Sequence, residues 1–479
     1  MNHWRRQRML SLEPRNKGAF VMVDIELVQT QVIDEQESSA SCLLVDCFAA
    51  LNAAHVGYLV LHGYEHLPRE FPHEIDMVVN RSEFQKALAI LESSAHQHGW
   101  AVVNYVQHEH TAVAMELARQ LDSGHVETLT LDLCSDYCWS GIVYLDNDSL
   151  LRGRRAFRGF YVPAAATELT YLLAKRVLKR TLQPEHEAYL ADLFETDPVG
   201  ARKMLSRLWD GVCLDFICTS LAQRRGALLG NLKALRSPLG NRALRRTLRQ
   251  RPWAFVLESN RLLRRIYHPI GYTIAFLGPD GAGKTTVASL VAEELKRIFR
   301  GTEIIHFPFR LSRQAQAITV VPDPHGNPNR SMAASLIKLV YYVVTSVFGH
   351  YTRIQYLTAR NRLVIYDRCF YDLVADPRRY RFGAPLWLAR LSGLVVPQAE
   401  CTIVLDAPVE VLRARKQEVP PEEVSRQRQE YQMIAQRLPR TRLIDASRPL
   451  QDVVAGVNSA LLSFLAHRAS EQKRSLRLS

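Results

Sequence analysis

The 479-residue chain has eight cysteines but no CxxC pair and no His/Cys cluster at zinc spacing. That excludes a disulfide framework or a zinc module and fits free thiols in a reducing compartment. An uninterrupted apolar run of bilayer length is also missing: the most apolar helical stretch, Leu336 to Phe348, is broken by Lys338. It falls short of the roughly 20 residues that a membrane span needs. The first residues are basic yet lack an apolar core and a small-residue cleavage site, so no signal peptide is expected, and Met1 and Met22 are both open as the start. Without internal repeats or low-complexity tracts, solenoids and tail-like disorder are excluded as the main architecture. The expectation is a soluble, cytoplasmic protein with no transmembrane segment.

Acid is scarce in one place. Between Leu221 and His268 stand twelve Arg or Lys and a single acid, Glu258, and this segment carries most of the net charge of +13. Arg245, Arg246 and Arg249 recur at i, i+1, i+4 spacing, and Arg261, Arg264 and Arg265 at i, i+3, i+4, on predicted helices. A solvated helix face is the default for such a pattern, with RNA, DNA or acidic lipid as the functional alternative. Few aromatics are interleaved, which weighs against a single-strand binder.

What is present is enough apolar residue, 47%, to bury large cores in about two to four domains. After a basic tail, residues 1–40, strand-like runs mix with helical ones over residues 41–163, an α+β pattern. Residues 164–269 read as all-helical and Arg-rich. From residue 270 to 479 strands alternate with helices, as in a doubly wound parallel sheet. The fold class is therefore α/β, preceded by an α+β domain and a basic helical segment.

The chemistry concentrates in FLGPDGAGKTT. Gly278, Gly283, Lys284 and Thr285 satisfy G-x-x-x-x-G-K-[ST] between an apolar strand and an amphipathic helix. Glycines let backbone N–H groups turn inward on phosphate oxygens, and the helix N-terminus adds its positive end. Gly281, Ala282 and Thr286 belong to the same nucleotide-binding loop. Lys284 is placed to reach the β- and γ-phosphates of ATP, and the Thr285 hydroxyl to hold Mg²⁺. A second metal carboxylate is expected at the end of a neighbouring strand, and Leu363-Val364-Ile365-Tyr366-Asp367 supplies it. Arg368, beside it, can clamp a second phosphate bidentately.

These segments resemble the thymidylate kinase family of P-loop nucleoside monophosphate kinases, over roughly residues 272 to 465. FLGPDGAGKTT looks like the family's P-loop, and the resemblance implies that Asp280 faces the acceptor nucleotide. YDRCFYD is similar to its Asp-Arg-aromatic signature. CTIVLDAPVEVLRARK resembles the strand and helix whose last arginine, here Arg415, contacts nucleotide phosphates or adenine, and Ile444-Asp445-Ala446 would lie on the adenine side. The family is usually dimeric, so a homodimer is one expectation, although the flanking domains can block that surface.

The acceptor half departs from the family: no Glu-Pro-Gly segment follows the second strand. Basic and aromatic residues stand there instead, Arg310, Arg313, His325 and Arg330, followed later by Asp376-Pro377-Arg378-Arg379-Tyr380-Arg381. A compact lid, residues 416–430, carries Arg426 and Arg428. An anionic acceptor suits these arginines, whether nucleotide, sugar phosphate or glycan-linked.

In the front domain, Glu74 and Asp76 share one strand face and can share a divalent metal, with Asp132 as a third candidate. The segment resembles the nucleotidyltransferase superfamily over about residues 41 to 165. Tyr64 stands where that family has a small residue, and Glu74 replaces its first Asp. The expected function is an ATP-dependent phosphotransferase with an anionic small-molecule or glycan-linked acceptor. The alternatives are a nucleic-acid end-modifying protein that combines both domains, and an ATP-dependent regulator.

Overall fold

Short runs rich in Val, Leu and Ile build the first sheet in the computed structural model, which describes residues 39–68, 72–308, 328–417 and 419–476. Helix α1 (Ser39–Ala53) leads into β1 (Tyr58–Val60) and β2 (Glu74–Val79). Helix α2 (Phe84–Gln97) follows, then the long strands β3 (Ala101–Glu109), β4 (Ala112–Gln120) and β5 (Val126–Cys134). The strand order is β1-β2-β5-β4-β3, antiparallel except for the β2–β5 pair. That parallel pair sets Asp76 beside Asp132. Two hairpins complete the region: β6 (Tyr137–Trp139) with β7 (Ile142–Leu145), and, after α3 (Asn147–Leu151), β8 (Arg155–Phe157) with β9 (Phe160–Val162).

Strands then stop. Six helices follow, α4 (Ala165–Lys179), α5 (Pro184–Thr196), α6 (Pro198–Leu205), α7 (Gly211–Ala222), α8 (Leu232–Gln250) and α9 (Ala254–Tyr267). Their apolar faces, with Leu169, Leu173, Trp209 and Ile217 fully buried, pack on Leu59 and Val78 of the first sheet. The basic tail assigned to residues 1–40 lies almost wholly outside the described residues.

The second sheet is parallel throughout, in the order β11-β12-β10-β13-β14. Its elements are β10 (Thr273–Leu277), α10 (Lys284–Leu295), β11 (Thr302–His306), α11 (Met332–Gly349), α12 (Gln355–Ala359), β12 (Leu363–Asp367), α13 (Asp372–Ala375), α14 (Leu386–Ser392), β13 (Cys401–Asp406), α15 (Val409–Arg415), α16 (Pro421–Arg437), β14 (Thr441–Asp445) and α17 (Leu450–Ser475). The central strands TIAFL and CTIVLD are buried at every position, as a strand covered on both faces requires, whereas the edge strand TRLID is half exposed. Val287, Ala288, Val291 and Leu295 form the inner face of α10 and seal it onto this sheet. Each buried Val or Leu contributes about 1.5–3 kcal/mol.

The apolar stretch read from Leu336 to Phe348 is part of a longer one: α11 runs through a π-helical turn into α12, giving 28 helical residues, Met332–Ala359, long and apolar enough to cross a membrane by length and composition alone. Leu339 and Tyr342 pack inward, while Ile337, Tyr341, Val344 and Phe348 are exposed. Lys338, which interrupts the run, turns its ammonium to Tyr380 O at 2.9 Å.

Helix α17 ties the two sheets together. Val457, Leu461 and Leu465 share a core with β10 and β13, and Val103 and Ala118 of the first sheet enter the same core. From the other flank Ala469 joins the first sheet's core, the Tyr105 amide donates to Gln472 Oε1 at 3.2 Å, and Gln120 Nε2 donates to Ala455 O at 2.8 Å. Residues 38–479 make one compact unit. None of the eight cysteines is in a disulfide.

Candidate functional site

The loop between β10 and α10 is shaped by backbone approach. Gly278 has φ +143°, and a Cβ there would lie 2.3 Å from Leu405 O; at Gly281, φ +87°, it would lie 2.7 Å from Leu412 O. Both clashes are with backbone, which cannot move aside, so only glycine serves. The turn delivers Lys284 as the first residue of α10, buried, with Nζ donating to Gly278 O and Pro279 O at 2.8 Å each. Burial and the nearby Arg368 guanidinium bring the Lys284 ammonium down to about 8, against the pull of Asp280. Ala282 is buried beneath the loop, while Thr285 and Thr286 open to solvent.

The strand order places β12 beside β10, and this brings Asp367 to the loop. Thr285 Oγ1 donates to Asp367 Oδ2 at 2.7 Å. Oδ1 of the same carboxylate is buried and has no hydrogen-bond partner among the described residues. His306, the last residue of β11, stands in register with Asp367 and puts Nδ1 3.3 Å from Oδ2. Burial would raise the Asp367 carboxyl, but His306, Thr285 and Lys284 together hold it below its usual range. His306 was not singled out from the sequence. The available signal was a polar side chain at the carboxyl end of a parallel strand, where ligands of such sheets gather.

Opposite Asp367, four cations converge on Asp280. Arg368 Nη2 is 2.5 Å and Arg379 Nη1 2.8 Å from its oxygens, Lys416 is at 3.6 Å and Lys284 at 3.9 Å. Burial would raise Asp280 as well, yet Lys284, Arg368 and Arg379 hold its carboxyl far below the usual range. Arg368 also faces Asp372 at 3.6 Å. Of the stretch Asp376 to Arg381, only Arg379 reaches the loop: Arg378 lies 3.9 Å from Glu423, and Arg381 donates to Pro328 O at 3.0 Å. Arg330 is exposed, and Arg310, Arg313 and His325 lie outside the described residues.

The remaining predicted arginines point elsewhere. Arg415, at the end of α15, donates to Ala446 O at 2.8 Å, within the segment expected on the adenine side. In the lid, Arg426 pairs with Glu423 at 2.7 Å and Arg428 with Asp406 at 2.7 Å.

In the front sheet, ligand atoms of Glu74, Asp76 and Asp132 lie within 4.8 Å of one another. Asp76 Oδ2 is met by Lys175 Nζ at 2.7 Å and His62 Nε2 at 2.6 Å. Burial would raise Asp76, but His62 and Lys175 hold it low. Burial and the Asp76 charge push Asp132 up to about 7; its buried Oδ1 lies 3.5 Å from His108 Nε2 and accepts no hydrogen bond among the described residues. Tyr64, where a small residue was expected, is a buried strut: its hydroxyl donates to Glu168 Oε2 at 2.7 Å and accepts from Arg155 at 2.9 Å.

The Arg-rich helices do not present a uniform solvated face. Arg246 donates to Val143 O at 3.0 Å, and Arg251 reaches the buried carboxylate of Asp136 at 2.9 Å. Arg261 is buried against Glu258 and donates to Gln107 O at 3.1 Å; Arg265 donates to the same carbonyl at 2.8 Å. Part of the positive charge is therefore used internally, to fasten α8 and α9 to the front sheet.

Residues 276–457 match the family model described as thymidylate kinase. A comparison with curated proteins found no match. Among solved structures, the chain resembles thymidylate kinase from Candida albicans, with 18% identity, 41% of this chain and 93% of that one covered, and a TM-score of 0.33. It also resembles thymidylate kinase from Ehrlichia chaffeensis, with 20% identity, 40% and 98% covered, and a TM-score of 0.31. A domain of this family implies a P-loop phosphotransferase. The family match and the loop around Lys284 coincide, so residues 276–457 of this chain form a thymidylate kinase-like domain.

Proposed function

We propose that the C-terminal domain transfers the γ-phosphoryl group of ATP to an anionic acceptor. The observation that carries this is the carboxylate of Asp367, with one oxygen held by Thr285 and the other buried without a hydrogen-bond partner among the described residues. An orphaned buried oxygen costs free energy unless something takes it up. The donor set fits Mg²⁺, which Thr285 and Asp367 would hold; when bound, the ion neutralises charge on the transferring phosphates.

The chain's own groups supply the rest. Lys284 leaves the carbonyls of Gly278 and Pro279 for phosphate oxygens, exchanging two neutral acceptors for charged ones. The loop amides and the N-terminal end of α10 add fixed positive ends that need no reorganisation. Arg368 and Arg379, gathered on Asp280, are the acceptor-side cations: an incoming phosphate competes with that carboxylate for them. The bond from γ-phosphorus to the β-bridging oxygen breaks as the acceptor oxygen bonds to phosphorus, and ADP leaves with the electron pair. An acceptor phosphate oxygen that is already ionised has no proton to lose, so no general base is required; a glycan hydroxyl would release its proton to solvent as its oxygen bonds to phosphorus.

The test is incubation with γ-labelled ATP and a metabolite extract, followed by identification of the labelled product. Label in an anionic small molecule or glycan, lost in Lys284→Ala, is the expected result; full transfer by that variant would sink the proposal.

A second activity is favoured by a separate observation, the packed trio Glu74, Asp76 and Asp132, whose ligand atoms lie within 4.8 Å of one another. These carboxylates suit a divalent cation and nucleotidyl transfer, which α-labelled ATP would report because only that reaction moves the α-phosphate.

A further inference from the structure

Helix α9 is amphipathic in the reverse sense. Its inner face is polar: Glu258 and Arg261 are buried against each other, Arg261 and Arg265 donate to Gln107 O of β3, and Ala254 completes the stripe at i, i+4, i+7, i+11. The outer face is apolar. Trp253, Val256, Leu263 and Tyr267 fall at i, i+3, i+10 and i+14 along one side, and Trp253 and Tyr267, at the two ends, are 69% and 75% exposed. Ile266 widens the stripe, and its carbonyl accepts from Gln355 Nε2 of α12 at 2.8 Å. An apolar stripe on a surface helix ordinarily faces the core. Here the polar contacts with the front sheet hold it outward.

Charge selects what covers this face. Glu258 is the only acid between Leu221 and His268, and it is buried against Arg261. Every charge that α8 and α9 expose is therefore positive, Arg245 and Arg249 near the end of α8 among them. A second copy of the chain would set two positive surfaces against each other. Nucleic acid would answer the arginines but gain little from Val256, Leu263 and Ile266, which offer no flat ring for a base to stack on. An anionic bilayer answers both features: its headgroups attract the guanidinium groups, and its interface takes up Trp and Tyr together with aliphatic side chains. We infer that the outer face of α9 lies on an anionic lipid surface, as a peripheral contact that spans nothing. From Tyr267 the chain runs on to β10 at Thr273, so this contact stands directly upstream of the strand that leads into the phosphate loop.

Co-sedimentation of the full-length chain with large unilamellar vesicles tests this. Vesicles of phosphatidylcholine with phosphatidylglycerol should bind the wild type, pure phosphatidylcholine should bind it about tenfold more weakly, and added salt should narrow the difference. Trp253→Ser with Leu263→Ser and Tyr267→Ser, all at exposed positions, should keep native-like circular dichroism and lose about tenfold or more in affinity for the anionic vesicles. Arg245→Glu with Arg249→Glu, on the neighbouring helix, should weaken anionic binding by about tenfold and leave binding to pure phosphatidylcholine unchanged. No sedimentation with anionic vesicles, or wild-type affinity in either the triple serine variant or the charge-reversal pair, would overturn the inference. So would a wild-type dimer that the triple variant splits in sedimentation velocity, which assigns the face to a second copy. An oligonucleotide affinity that falls in the same variant would assign it to nucleic acid and overturn the inference as well.

Discussion

Thr285 Oγ1 sits 2.7 Å from Asp367 Oδ2 and joins the first turn of α10 to the end of β12. One hydrogen bond thus joins the two side chains that would hold the proposed metal ion. Asp367→Asn keeps the shape and removes the charge, and should lower phosphoryl transfer by about 100-fold or more, as loss of a preorganised electrostatic group does. Transfer rate against magnesium concentration checks it; an unchanged magnesium dependence would place the metal elsewhere.

Lys284→Ala should abolish nearly all transfer while the fold survives. Among the described residues the side chain's hydrogen bonds go to Gly278 O and Pro279 O, and its ion pair at 3.9 Å is to Asp280, so each of these polar partners lies in the same loop. Circular dichroism should be native-like and product formation close to background. A variant that retains wild-type turnover would remove this lysine from the chemistry.

Asp280 makes acid stability a readout. Its carboxyl is held well below the ordinary range in the folded chain, so it contributes stability above its unfolded pKa that is lost as pH falls through the folded one. Urea midpoints of the wild type should therefore fall as the solution becomes strongly acidic. Asp280→Asn should lose this component and, by leaving Arg368 and Arg379 without their carboxylate, be less stable at neutral pH by about 3–5 kcal/mol. A neutral-pH midpoint equal to wild type would mean that the four cations are not organised by Asp280.

Oligonucleotide binding should be weak and only shallowly dependent on salt. Arg246, Arg251, Arg261 and Arg265 are tied to carbonyls and carboxylates of the same chain, and cations so engaged release few counterions. Affinity measured at several salt concentrations decides this. A steep slope, equivalent to about six or more phosphate contacts, would restore a nucleic-acid role.

The shape of the loop was legible because its determinants are contiguous: Gly278 to Thr285 fold locally. Asp367 was legible because it ends an apolar strand. The meetings of His306 with Asp367 and of Arg379 and Lys416 with Asp280 were not, since they depend on which strands become neighbours and where the loops return. Spacing placed Arg261 and Arg265 on one helix face correctly, but could not reveal that Gln107 O, more than 150 residues away, would be waiting there. Tyr64 looked like an obstruction in a small-residue position and is instead braced by Glu168, a partner 104 positions on.

Helix α17 has a bearing on how the molecule is divided by an experimenter. Its 26 residues end the sequence-order list of elements, yet Val457 and Leu461 line one sheet while Ala469 and Gln472 engage the other. Cutting the polypeptide near residue 270 would therefore strip β3 of its cover and expose Val103 and Ala118 to water. The severed N-terminal piece should aggregate, and co-expression with the remaining piece should rescue it.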